Sequence, residues 1–233
     1  MPPVSIEGKP FDSIKLLDDL VDTLERALNG LKPQENDNKY VIFAVRDLAW
    51  ISLSIISTVA RQLHWRYSAY TAASMTRLLM ECVTEIKYIK SHPKKAKTFW
   101  MSQEKAQKAM GNELDETERW KLFSEGTMKK YGQLSDSSTE RIRNMLGEDD
   151  LGRYNLFCFY SHPNIAGYGW VSRDASPQPG VIMRFTAETF FKMIDEMLRA
   201  VSLVESQSID LSVSIQQTLA AYKQYLSECE EKL

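Results

Sequence analysis

Apolar residues recur at three- and four-residue steps through most of this chain, the spacing of helices that bury one face. Ile14, Leu17, Val21, Leu24 and Leu28 predict a first helix over 11–31, capped by Asp12 or Ser13 and ended by Asn29-Gly30. Val41, Val45, Leu48, Ile51, Ile55, Val59 and Leu63 predict a second over 39–65. Ile42, Leu53 and Ile56 widen that stripe, which argues for a central helix packed on more than one side. Ala73, Leu78, Val83, Ile86 and Ile89 predict a third over 67–91. It stops at His92-Pro93, because the residue before proline disfavours helical geometry.

From 94 to 146 the pattern turns polar, with Phe99, Trp100, Trp120, Leu122 and Phe123 as apolar anchors of two or three shorter helices. Lys94, Lys95, Lys97, Lys129 and Lys130 are interleaved with acids, as on a solvated face. Asp136-Ser137-Ser138-Thr139-Glu140 has the form of a helix start. An aromatic helix is expected over 149–160, followed by His162-Pro163 and a Gly/Pro-rich loop near residues 163–185, with 181–185 briefly extended. Phe190, Phe191, Ile194, Met197, Leu198 and Val201 predict a helix capped by Thr186, and 211–226 continues helically. The expected fold is all-α, a helical bundle of about six to eight helices in one domain. Its parts are core helices over 11–92, middle helices over 94–162 and C-terminal helices over 186–231.

Composition narrows the chemistry. A net charge of −2 gives no global basic field for nucleic acid. The three cysteines, Cys82, Cys158 and Cys229, form no CxxC or Cys/His zinc spacing and imply reduced thiols in a cytoplasmic protein. The N-terminus lacks the apolar core of a signal peptide, and the uncharged run 48–60 is too short to span a bilayer. His64, His92 and His162 have no metal-helix spacing, and phosphate loops, GxSxG elbows and dinucleotide fingerprints are absent. No metal and no cofactor are expected.

Two segments carry candidate chemistry. Arg77 and Glu81 sit one turn apart on an otherwise apolar helix, where charges are expensive unless they pair or bind something. They form either a bundle-stabilising ion pair or a recess in which Glu81 fixes a guanidinium that grips carboxylate or phosphate. His162, at the end of the aromatic helix, either donates to a last-turn carbonyl or serves as a general acid/base. Tyr154, Tyr160 and Ser161 lie near it in sequence, either as packing groups or as a hydrogen-bonding network. Tyr168-Gly169-Trp170 offers a stacking surface or a plug on the bundle.

The run from Leu53 to Ile89 resembles an uncharacterised prokaryotic helical family, domain of unknown function five-six-seven-seven. Its members pair an R-S-L-x-E helix with a later Tyr-x-x-x-Ser-x-x-x-His element. Here the first reads Arg77-Leu78-Leu79-Met80-Glu81, with Leu78 in place of a small residue, and the second runs from Tyr154 to His162 with Cys158 at mid-helix. The resemblance covers about residues 40 to 180. That family is in turn distantly similar to HEPN domains of toxins and abortive-infection systems. In HEPN ribonucleases an Arg and a following His lie a few residues apart, and dimerisation joins two sites. Arg153 and His162 stand nine positions apart, on opposite helix faces at about 100° per residue. An active site of that type would instead need Arg77 to meet His162.

Two functions follow as expectations. The first is a cytoplasmic helical interaction or ligand-sensing protein, linked to phage defence or its counter-systems. Its binding residues are Arg77, Glu81, Tyr154, Ser161 and His162, and its partner is a protein or a small anionic ligand. The second is a metal-independent HEPN-like ribonuclease, with His162 as acid/base and Arg77 stabilising phosphate charge on RNA. No membrane is expected. A homodimer is, because Leu219, Tyr222 and Leu226 leave an apolar stripe on the last helix.

Overall fold

The computed structural model describes residues 5–6, 9–10, 39–62, 69–97, 99–100, 137–161 and 178–202, with 21, 22, 25, 29, 117 and 220 as further helical positions. Apart from single-residue breaks and a two-residue antiparallel ladder between Ser5–Ile6 and Lys9–Pro10, the described residues are helical. The fold is all-α. Its helices are α1 (Lys39–Gln62), α2 (Ala69–Ser91), α3 (Ser138–Leu146), α4 (Glu148–Ser161) and α5 (Gln178–Ser202), with a further helical turn over 93–97.

The hub is α2, which packs against α1, α3, α4 and α5. The second predicted helix, now α1, packs on both α2 and α5, as its wide stripe implies, but it is not the hub. Its buried face runs through Ile42, Val45, Ala49, Leu53, Ile56 and Val59, while Ile51 is 46% exposed and Trp50 lies beside it at the surface. The alanines explain the shift: Ala44 and Ala49 of α1 and Ala72 and Ala73 of α2 are buried in one core, where small side chains let helices approach closely. The α1 stretch Lys39–Val59 is long and apolar enough, by length and composition alone, to cross a bilayer, and half of that window is buried in the bundle. The uncharged run 48–60 is shorter than that window, which also takes in Arg46 and Asp47.

Local signals set the ends of α3 and α4. The Ser137 hydroxyl caps α3 by accepting from the Glu140 amide at 3.2 Å. Gly147 then adopts φ +100°, which L side chains rarely reach, and its N–H closes α3 on the Arg143 carbonyl. Its own carbonyl receives the Leu151 amide and opens α4, whose first turn carries Glu148, Asp149 and Asp150 against the helix dipole.

At the other end of the chain, α5 starts at Gln178, so the loop expected over 163–185 extends no further than 177. Pro179 falls in the first turn, where its missing N–H costs nothing, and a pattern reader takes such a Pro-Gly pair for loop. Thr186 is consequently buried inside α5 and is not its cap, and 181–185 is helical, not extended.

Cross-helix pairs fix directions. Lys87 meets Glu196 at 2.8 Å and Lys90 donates to the Ala200 carbonyl, so α2 and α5 run parallel. Asp150 pairs with Lys192, Arg153 donates to Thr189, and Phe157 packs on Phe185, so α4 runs antiparallel to α5 and therefore to α2. Phe157, Phe190, Met193, Ile194, Leu79, Met80 and Ile86 are fully buried in the shared core, each worth about 1.5–3 kcal/mol of burial.

Candidate functional site

The stripe of α2 that faces α3 and α4 carries Arg77, Glu81 and Glu85, each one turn from the next. Two partners come from the other helices. Tyr154 of α4 donates its hydroxyl to Glu81 Oε1 at 2.8 Å. Arg141 of α3 places Nε and Nη2 at 2.7 Å and 2.6 Å from Glu85 Oε1 and lies over the Tyr88 ring.

These two arginines differ in kind. Arg141 is hydrogen-bonded to its carboxylate. Arg77 Nη1 stands 3.9 Å from Glu81 Oε1, an ion-pair distance too long for a hydrogen bond, and that oxygen already accepts from Tyr154. Arg77 Nε is buried with no hydrogen-bond partner among the described residues, although only 23% of the side chain is exposed. Buried guanidinium groups usually spend their donors on acceptors, because an unmatched one costs its full desolvation. Glu81 is 32% exposed, so this end of the stripe reaches solvent.

Burial beside the stripe favours the protonated forms of Tyr154, Glu85 and Cys82. Burial, first, and then the Glu81 carboxylate push the Tyr154 phenol far above its ordinary range, with the neighbouring Cys158 thiol adding to the effect. Its proton is committed to Glu81. Burial raises Glu85, opposed by Arg141 and reinforced by Glu81, and Glu85 Oε2 is buried without a partner among the described residues. Burial also pushes the Cys82 thiol up to about 11, with Glu81 and Glu85 adding and a hydrogen bond with Ser52 opposing. Cys82 and Cys158 are free and half-buried. A thiol held this far toward its protonated form is a poor nucleophile, so Cys82 supplies none.

Of the sequence candidates, the structure brings Arg77, Glu81 and Tyr154 together. Ser161 donates its hydroxyl to the Phe157 carbonyl at 2.7 Å, in the last turn of α4. With Tyr154 beside Glu81 and α4 antiparallel to α2, that turn is carried toward the Arg77 end of α2. His162 and His64, the 163–177 segment with Tyr168-Gly169-Trp170, and the Leu219, Tyr222 and Leu226 stripe lie outside the described residues, as does the Tyr160 side chain. Arg153, weighed above as a catalytic partner, is instead engaged with Thr189, with the Phe185 ring at 4.8 Å and with Asp150 at 4.0 Å. Among the described residues no cluster of His, Cys, Asp or Glu could hold a metal ion.

Sequence reasoning missed Glu85 and Arg141. The signal for Glu85 was present, since it continues the four-residue step from Arg77 through Glu81. Nothing local pointed to Arg141, whose partner lies 56 positions away. Comparison with protein-family models, with curated proteins and with solved structures returns no match for this chain.

Proposed function

We propose that this chain is a cytoplasmic helical interaction or ligand-sensing protein that takes a small anionic ligand at Arg77. One observation carries the reading: an Arg77 side chain three-quarters buried and held near Glu81, whose Nε is buried with no hydrogen-bond partner among the described residues. A bundle needing only an ion pair there would be served by the bonded geometry that Arg141 and Glu85 achieve one to two turns away. Glu81, anchored by Tyr154, orients Arg77 without consuming its donors, which suits a site waiting for an acceptor. The free thiols of Cys82 and Cys158 support a reducing compartment. The link to phage defence and the relation to HEPN-like helical families rest on the Arg77-to-Glu81 and Tyr154-to-His162 elements. Self-association through the 219–226 stripe belongs to the same proposal and is checked by light scattering.

The test is calorimetric titration of the purified protein with small carboxylates and inorganic phosphate, beside incubation with single-stranded and structured RNA in chelator. Arg77→Ala and His162→Ala are run in parallel, with circular dichroism to verify folding. Anion binding lost in folded Arg77→Ala, with RNA intact, supports the sensor. RNA cleavage lost in both folded variants replaces it with the ribonuclease.

A further inference from the structure

Resting on the reading of Arg77 as a ligand contact, the geometry points to a planar monocarboxylate as the anion, gripped jointly by Arg77 and the Thr186 hydroxyl, with Glu81 excluding dianions. Because α2 and α5 run parallel with Lys87 opposite Glu196 and Lys90 opposite Ala200, stepping ten residues back along both brings Arg77 level with Thr186. Antiparallel α4 has Tyr154 beside Glu81, so Cys158, one turn further on, comes level with Arg77, one turn back. Three helices thus bring Arg77, Cys158 and Thr186 to one rung of the bundle. At about 100° per residue, Arg77 lies about 80° around α2 from Lys87, which faces α5, and about 40° from Glu81, which faces α4. It occupies the sector between them, toward the seam of α4 and α5.

Thr186 supplies the second, independent observation. It is 0% exposed, and its hydroxyl has no hydrogen-bond partner among the described residues. The other buried Ser and Thr hydroxyls behave differently: Ser52, Thr76, Thr84 and Thr189 each donate to the carbonyl one turn back, at 2.7–2.9 Å. One rung therefore holds two buried polar groups in want of a partner, a cationic N–H donor and a hydroxyl. A carboxylate answers both, one oxygen accepting from the guanidinium and the other from the hydroxyl.

Charge sets the limit. Arg77 is the positive group of this rung, and Glu81, 3.9 Å from it, already offsets part of its field. Tyr154 cannot offer a second proton, since its own is donated to Glu81. A monoanion leaves the rung near neutrality, whereas a phosphate dianion faces the Glu81 carboxylate with nothing to balance its second charge.

The experiment uses the full chain labelled with nitrogen-15 arginine, following the Nε–H resonance of Arg77, identified by its loss in Arg77→Lys. Acetate and inorganic phosphate are titrated at mildly alkaline pH. Acetate is expected to shift the resonance saturably and phosphate not at all. Thr186→Val should weaken acetate about tenfold, and Thr186→Ser, which keeps the hydroxyl, should bind as wild type. Glu81→Gln should admit phosphate. Phosphate binding as tightly as acetate in the wild type overturns this inference while leaving an anion site at Arg77. No shift with either anion overturns both. Equal acetate affinity in wild type and Thr186→Val removes Thr186 from the site.

Discussion

At the scale of single residues, Arg77 and Arg141 pose the same question and receive different answers. Both meet a glutamate of α2, but only Arg141 is hydrogen-bonded to it. Tyr154→Phe tests the anchor of the unbonded pair. It removes a hydrogen bond to a charged acceptor without creating a cavity, and is expected to lower unfolding free energy by about 1.5–3 kcal/mol in urea titration. Glu85 gives a pH prediction. Its carboxyl is raised above the ordinary 4.5 in the folded chain, so the folded state holds the proton more tightly than the unfolded one. Stability therefore rises as pH falls through the window just above the ordinary carboxylate range, as far as Glu85 contributes. Glu85→Gln should flatten that slope in denaturation curves recorded across the window, and a slope equal to wild type contradicts the account. Arg77 and Glu81 were legible as a pair, because their spacing is local. That Tyr154 joins them, and that Thr186 comes level with them, was not legible, because both depend on the directions in which α4 and α5 run.

At the scale of elements, the turn between α3 and α4 sets the position from which Tyr154 reaches Glu81. Gly147 has open space around it and a φ of +100°. Gly147→Ala is therefore disfavoured by backbone strain alone, by about 1 kcal/mol. Gly152, exposed within α4 with nothing near its missing Cβ, behaves oppositely: Gly152→Ala should stabilise by about 0.4–1 kcal/mol. Thermal melts of the two variants should move in opposite directions. The clasp between α4 and α5 is the second element-scale feature. Asp150 is 1% exposed and both of its oxygens accept from Lys192 Nζ, at 2.7 Å and 2.8 Å, with Arg153 further off at 4.0 Å. Lys192→Ala strands that buried carboxylate, with an expected loss of about 3 kcal/mol measured in urea. Sequence periodicity located α1 and α2 closely because their stripes are long, and aromatic content located the shorter α4. It misjudged the start of α5, since Pro179-Gly180 reads as loop wherever it falls, and it found the buried face of α1 while wrongly including Ile51, which is exposed, and passing over Ala44 and Ala49, which are buried.

At the scale of the molecule, the all-α architecture follows from composition and patterning, but the hub does not. A reader of stripes chooses the most apolar helix as the centre. The bundle instead centres on α2, which carries Arg77, Glu81 and Glu85 into contact range of its neighbours. That choice makes the charged stripe consequential: a polar row on a peripheral helix would face water, whereas here α3 and α4 bring it partners and α5 runs alongside. On the proposed reading, the row is a site with one unmatched donor, at Arg77 Nε. The most direct measurement is a high-resolution crystal structure grown in acetate. The account predicts a planar anion bridging the Arg77 guanidinium and the Thr186 hydroxyl, with Tyr154 still donating to Glu81. Arg77 found hydrogen-bonded in full to Glu81 or to other side chains, with no anion beside it, would contradict it.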